Sequence, residues 1–376
     1  MKIQQVDLIS QYDHIRQEMD EAVLRCIRSG AYINGKEVAV FAENLTAYTG
    51  SKYVIPCANG TDALQIALMA LDLQPGDEVI VPAFTYIASV EVIALLKLIP
   101  VLVDVDSRTF NMGIEKFKNA ISDKTKAVIP VHLFGQTCDM QPILDICKQH
   151  HISVIEDNAQ SIGSNYIFSG GEKKQAGTMG DIGTLSFFPS KNLGCYGDGG
   201  AMLTNNELLA NKLKMIASHG QSKKYYHDVI GCNSRLDTLQ AAILDVKLKY
   251  LDKYTKARQQ AAEYYTEQLQ SLNDYIILPY SAKNSSHVYN QYTIQIKGNQ
   301  RDDLKQFLSE KGIPSMIYYP LPIHHQKAFK DIVRIGSDLT QSEQLCRSVL
   351  SLPMHTELDK VQQDYIIESI KQFFHR

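Results

Sequence analysis

The chain has 376 residues, 44% of them apolar and 21% charged, a globular composition that excludes a disordered or fibrous protein. Its net charge of −3 argues against a surface built to hold nucleic acid or anionic lipid, yet leaves room for a local basic pocket around a phosphorylated small molecule. At about 150 residues per domain the length suits two to three domains and a sizeable core.

In chain order, Met1 to Val23 carries no apolar segment of the secretory type. Thr61 to Ala70 follows an Asn-Gly turn and reads as a helix. Glu78–Val81 (EVIV) then opens a series of short apolar runs: Val101–Val105, Ala127–Leu133, Ser153–Glu156, Gly183–Phe188 and Ala201–Leu203. Continuous apolar runs suit strands buried on both faces, as in a parallel sheet. Helical patterns lie between them, at Met140 to His150 and at Asn206 to Ala217, the latter with Thr204-Asn205 as its cap. Strands alternating with helices predict a layered α/β domain with right-handed crossovers. The most apolar stretch, Val92 to Val105, is broken by Lys97 and Pro100 and is too short to span a bilayer.

A helical pattern runs from about Leu239 to Leu272, and the order of elements then changes. Tyr292–Ile296 (YTIQI) alternates like a half-exposed strand, Asp302–Lys311 reads as a helix, and Gly312–Pro322 as extended chain. Lys360 to Phe374 reads as a last helix. The expected division is a large domain over 1–250 and a smaller α+β domain over 251–376. Seven cysteines (26, 57, 138, 147, 195, 232 and 346) show no C-x-x-C spacing. Neither a metal site nor a disulfide framework is expected, and reduced thiols point to the cytoplasm.

Four segments carry candidate chemistry. In SVIEDNAQS a buried strand ends at Glu156-Asp157, and ligand sites in open α/β sheets lie off such strand ends. Asp157 is there either a helix N-cap or a partner for a cationic ring nitrogen. In LSFFPSKNLGCYGDGGA, Lys191 precedes four glycines. It is either a solvated loop lysine or, if desolvated, an amine nucleophile with a lowered pKa. An aspartate at a strand end with such a lysine is the pairing pyridoxal phosphate demands. In CANGTDALQIAL, Asn59-Gly60-Thr61 opens a helix whose free N–H groups suit a phosphate. In PAFTYIASV, Tyr86 either stacks on a flat ring or is a core aromatic.

Further segments occur with these, in order: Gly197-Asp198-Gly199-Gly200, His219-Gly220, Asn233-Ser234-Arg235-Leu236-Asp237 and Tyr319-Pro320-x-Pro322. Together they resemble the DegT/DnrJ/EryC1/StrS family of nucleotide-sugar aminotransferases, over about residues 4 to 372. The likeness is greatest to members that aminate C3 of a UDP-linked 2-acetamido-3-oxo-glucuronate, carried by CANGTDALQ, FFPSKNLGCYGDGGA and NSRLDTLQAAIL.

The resemblance implies a fold-type I enzyme, with a mostly parallel central sheet and a smaller C-terminal domain. Pyridoxal 5′-phosphate is the implied cofactor, and L-glutamate and a nucleotide sugar are the implied substrates. By the same resemblance Lys191 carries the cofactor and shuttles a proton, and Asp157 pairs with the ring nitrogen. Gln160 bonds the ring hydroxyl, Gly60, Thr61 and Ser186 hold the phosphate, and Tyr86 stacks on the ring. Asn233 is expected to reach the cofactor phosphate of a partner subunit, so that a homodimer shares its sites; otherwise it is a turn residue. Arg235, with its planar fork, is expected to anchor a carboxylate of glutamate or of the sugar, or else to be an interface arginine. Tyr318 and Tyr319 stand where relatives contact the sugar, and Tyr318 replaces the histidine usual in the nearest members. A sugar dehydratase, which carries histidine at the lysine position, is the alternative that Lys191 argues against. A DNA-binding regulator is the alternative for which the chain shows no added module.

Overall fold

The computed structural model describes residues 3–375. Eight strands form its central sheet, in the spatial order Tyr53–Cys57, Gly200–Thr204, Ile182–Ser186, Ser153–Asp157, Thr125–Val128, Glu78–Pro82, Ile99–Val103 and Arg334–Ile335. All neighbours pair in parallel except those of Gly200–Thr204, which runs against both of its partners. The sheet is buried on both faces, which is why its strands read as unbroken apolar runs. Val79, Val81 and Leu102 point into a core shared with the helices Gly60–Ala70, Ala88–Leu95 and Glu207–Ala217. The alternate residues Ile80, Val101 and Val103 point the other way, against the helices Ile114–Ala120 and Met140–His150. Beyond them the helices Leu8–Ser29, Lys36–Thr49 and Thr238–Leu248 pack on Val54, Leu185 and Leu203.

A second core gathers Ala262, Tyr265 and Leu269 with Ile294, Leu304, Leu350 and Ile367. Its sheet has three antiparallel strands, Ile276–Ile277, Tyr292–Ile296 and Val349–Leu352. Chain from this C-terminal part returns to the large sheet, where Arg334 pairs with Val101 and Ile335 with Leu102.

The structure departs from the sequence reading at several points, each for a local reason. The helical pattern from Leu239 is two helices, Thr238–Leu248 and Leu251–Leu269, ending in a 3-10 turn at Gln270–Leu272. The first serves the large core and the second the small one, so the chain bends between them. Tyr292–Ile296 is buried throughout rather than half exposed. Its polar side chains are satisfied inside: Thr293 Oγ1 meets Ser351 Oγ at 2.8 Å, and Gln295 Nε2 donates to the Ser107 carbonyl at 2.7 Å. The cap of Glu207–Ala217 is Asn206, whose side chain accepts from Leu208 and Leu209, because Asn205 is engaged with the Lys52 N–H. The two N-terminal helices and Ala88–Leu95 have no counterpart in the sequence reading.

One buried carboxylate ties the centre of the sheet together. Glu156, with no exposed surface, accepts from the Gly177, Met179 and Gly180 N–H groups at 2.8, 2.6 and 2.6 Å and from His132 Nε2 at 2.8 Å. His132 Nδ1 accepts from the Cys138 N–H, so its single proton sits on Nε2. Glu156→Ala strands these donors in a dry interior. We expect a loss of about 3–5 kcal/mol in denaturant unfolding; a loss below about 1 kcal/mol contradicts this role.

Candidate active site

A cleft of about 450 Å³ opens at the carboxyl ends of the central strands. Its floor begins with Asn59, an extended residue that caps the helix Gly60–Ala70. Asn59 Oδ1 accepts from the Asp62 N–H at 2.8 Å, and its carbonyl accepts from the Ala63 N–H. The N–H groups of Gly60 and Thr61 stay free of intrahelical partners, at the positive end of the helix dipole. Glycine is required at 60 for packing, since a Cβ there would lie 2.7 Å from that of Ser186. Gly200 has the same role from the other side, where a Cβ would lie 2.4 Å from the Asn59 backbone. The Ser186 side chain is thereby held against the helix start.

Strand Ser153–Asp157 brings Asp157 to the cleft, 5% exposed. It caps no helix. Its Oδ2 accepts from Ser89 Oγ at 2.7 Å and its Oδ1 from the Ala159 N–H at 3.1 Å. Gln160 is oriented just as firmly. Its Oε1 accepts from the Phe134 N–H at 2.7 Å, and its Nε2 donates to the Tyr319 hydroxyl at 3.2 Å. Phe134 holds a left-handed backbone, φ 58°, to present that N–H.

Lys191 follows strand Ile182–Ser186 through a tight turn, with its N–H on the Phe188 carbonyl. Its amine faces the cleft with no ion-pair partner among the described residues. Burial lowers its pKa to about 8, against the opposing pull of the Asp157 carboxylate. Asn192 anchors the turn by donating to the Val288 carbonyl and accepting from Asn290 Nδ2.

Tyr86 stands on the rim, 56% exposed, with its ring 6.1 Å from that of Tyr319. Tyr318 lines the same wall, and burial holds the Tyr319 phenol above its ordinary pKa. The structure therefore gathers Gly60, Thr61, Tyr86, Asp157, Gln160, Ser186, Lys191, Tyr318 and Tyr319 around one cleft. Asn233 and Arg235 stand apart from it, exposed on a segment whose Ser234 accepts from the Ala58 N–H behind the cleft floor. His219, His324 and His325 line no part of it.

Sequence reasoning missed Ser89, Asn290 and Gln291. Ser89 lies on an apolar helix with no polar periodicity, and the other two come from chain a hundred residues away. A second cleft of about 480 Å³, between the helices Leu8–Ser29, Lys36–Thr49 and Thr238–Leu248, holds charged side chains such as Glu18, Arg25 and Lys249 but none of the predicted site residues.

The gathered residues fit pyridoxal 5′-phosphate. Free N–H groups and the Ser186 hydroxyl await a phosphate, a depressed-pKa amine awaits a carbonyl, and a fixed carboxylate awaits a ring nitrogen. Residues 13–371 match the DegT/DnrJ/EryC1/StrS aminotransferase family, to which the chain belongs. Members of this family depend on pyridoxal phosphate, and the chain is an aminotransferase of that kind.

Among its relatives, a protein of Geobacillus stearothermophilus described as a pleiotropic regulatory protein is 43% identical, covering 100% of this chain and 99% of that one. The UDP-2-acetamido-2-deoxy-3-oxo-D-glucuronate aminotransferase of Pseudomonas aeruginosa is 43% identical, over 95% of this chain and 96% of that one. The crystal structure of a DegT DnrJ EryC1 StrS aminotransferase from Brucella abortus superposes with a TM-score of 0.94 at 40% identity, covering 100% of both chains.

The lowered lysine pKa sets a pH dependence. Only the neutral amine attacks a carbonyl, so about 1% of Lys191 is reactive at pH 6 and about half at pH 8. The rate at which the cofactor-free enzyme takes up pyridoxal phosphate is expected to rise with pH to a midpoint near 8. A midpoint near that of free lysine contradicts the desolvated site.

Proposed function

We propose that the enzyme transfers the amino group of L-glutamate to a nucleotide-linked keto sugar, at C3 of UDP-2-acetamido-2-deoxy-3-oxo-glucuronate. The product is destined for a surface polysaccharide such as O-antigen. The single observation that carries the transamination is Lys191 and Asp157 facing one cleft above a helix N-terminus. The sugar assignment is supported by the likeness to the Pseudomonas enzyme over nearly the whole of both chains.

When bound, the cofactor supplies an electrophilic carbonyl and an electron sink. The residues do the rest. The N–H groups of Gly60 and Thr61 and the Ser186 hydroxyl bind its phosphate. Asp157, oriented by Ser89, holds a proton on the ring nitrogen, which deepens the sink. Gln160, its carbonyl end fixed by Phe134 and one amide N–H on Tyr319, would give its other amide N–H to the ring hydroxyl. Tyr86, on the rim, would stack on the ring face. Lys191 takes the proton from the glutamate α-carbon, holds it on Nζ and returns it to complete the transfer. Replacement of this lysine by histidine marks the dehydratases, and a purely regulatory role would leave its depressed pKa without purpose.

The site is shared in a homodimer. Among the residues lining the cleft, Lys191 is the only lysine and no arginine is present, so nothing cationic in the same chain meets a sugar carboxylate. Arg235 and Asn233, exposed in their own chain, are offered to a partner. The two domains, 1–250 and 251–376, close the cleft between them, in support of which the C-terminal part has its own core. Seven unpaired cysteines support a reducing cytoplasm, and no helix among the described residues is long and apolar enough to cross a membrane.

A second reading rests on Tyr318, a neutral donor where the nearest relatives carry histidine. It favours C3 or C4 amination of an uncharged 6-deoxy keto sugar on UDP or dTDP. Half-reactions separate the two. Arg235→Ala is expected to slow turnover of the pyridoxamine form with the uronate at least tenfold more than with a 6-deoxy analogue, roughly the 1.4 kcal/mol that a charge-assisted bond exceeds. A wild-type preference for the 6-deoxy sugar overturns the uronate. Mixing Lys191→Ala with Arg235→Ala, each impaired with the uronate, tests the shared site. Reassortment leaves about one intact site in four if the two residues meet across the dimer. No recovery of activity places them in the same chain.

A further inference from the structure

Outside the cleft, one cluster of metal-ligating side chains stands out among the described residues: His324, His325 and Glu343. The chain leaves Tyr319 through Pro320-Leu321-Pro322 and enters a single 3-10 turn, Ile323–His325. Ile323 is buried in the large core. The two following imidazoles lie with their ring centroids 4.2 Å apart, His324 largely buried and His325 half exposed. Glu343 faces both from the helix Thr340–Ser348. Its Oε1 lies 3.1 Å from His324 Nε2 and 3.7 Å from His325 Nε2.

We propose that these three side chains bind a divalent transition metal, zinc above others, in a structural site separate from the catalytic cleft. Zinc held at about 2.0–2.2 Å from each ligand in a tetrahedron spaces neighbouring ligand atoms about 3.3–3.5 Å apart. The two distances to Glu343 straddle that spacing, and all three ligand atoms lie within 4.8 Å of one another. Closing the widest edge takes a small rotation of His325, whose side chain is 48% exposed and free to make it. Two imidazoles with one carboxylate suit zinc rather than magnesium or calcium, which take oxygen ligands. Arg347 competes only weakly for the carboxylate, since it approaches Oε2 at 3.7 Å and leaves Oε1 to the histidines. Water completes the shell on the open side.

A metal here would join the turn Ile323–His325 to the helix Thr340–Ser348. The turn continues directly from Tyr318 and Tyr319, which line the cleft. The helix starts where the Gln341 and Ser342 N–H groups bond the buried Asp104 carboxylate, at 2.8 Å each. The metal therefore pins the tyrosine strap to this Asp104-anchored helix, from outside the reacting centre.

The test uses the tag-free holoenzyme, stripped with EDTA and titrated with zinc sulfate, then with cobalt chloride. One zinc per chain is expected, with a tetrahedral cobalt absorption band. His325→Ala, at an exposed side chain, and Glu343→Gln, nearly isosteric, are expected to retain cofactor absorbance and fold. Each should weaken zinc binding by at least roughly 100-fold, since loss of a mere supporting partner already costs 10–100-fold. Zinc should raise the Tm of the wild type and leave that of both variants unchanged. Failure of the wild type to take up one zinc at micromolar concentration, or binding by either variant equal to the wild type, overturns the site. If neither variant folds, the cobalt spectrum of the wild type decides, because a band without imidazole character contradicts it.

Discussion

Two consecutive carboxylates at the end of one strand set the geometry on which the site depends. Side chains alternate across a strand, so Glu156 and Asp157 point to opposite faces. Glu156 turns inward to three backbone N–H groups and His132, and Asp157 turns to the cleft. A one-residue slip would exchange them, turning Glu156 to the cleft and leaving the buried donors empty. The inward bonds make that slip costly. They also hold the neighbouring chain: the Asp157 N–H and carbonyl bond Pro130 and His132, and the His132 carbonyl accepts from Ser161 Oγ. Two residues on, the Phe134 N–H fixes Gln160. These cleft-facing groups are thus ordered by a network that lies behind the cleft.

The second constraint is electrostatic. A lone amine in an enclosed cleft favours its neutral form, and Lys191 has a pKa of about 8 for that reason. Asp157 opposes the shift but forms no ion pair with it. A direct pair would keep the lysine charged and unreactive; Ser89 and the Ala159 N–H occupy the carboxylate instead. The positive end of the helix Gly60–Ala70 favours an anion in the cleft through backbone groups, with no second lysine among the lining residues.

Much of this was legible because its signals are local. Asn59-Gly60-Thr61, Glu156-Asp157 and Ser190-Lys191 each lie at the junction of a strand or helix with a loop, where residue type reports backbone role directly. The layered α/β order followed from apolar runs between helical patterns. What was hidden depends on distant partners. Ser89 sits in a mostly apolar helix, and only the fold sets it against Asp157. The alternation of Tyr292–Ile296 signalled exposure, but Ser351 and the Ser107 carbonyl satisfy its polar residues internally. The two-residue strand Arg334–Ile335 is too short for any pattern, and Arg334 is held in place by Glu78, 2.9 Å away. No spacing in the sequence pairs His324 and His325 with Glu343; only the fold brings them within 3.1 and 3.7 Å of it.

The most direct measurement is the position at which the cofactor joins the chain. Borohydride reduction of the holoenzyme fixes the cofactor to whichever amine holds it, and peptide mass spectrometry then locates the added mass. The account predicts one phosphopyridoxyl group per chain, on the peptide containing Lys191, and none in Lys191→Ala. A label on another lysine, or an undiminished label in that variant, contradicts the site described here.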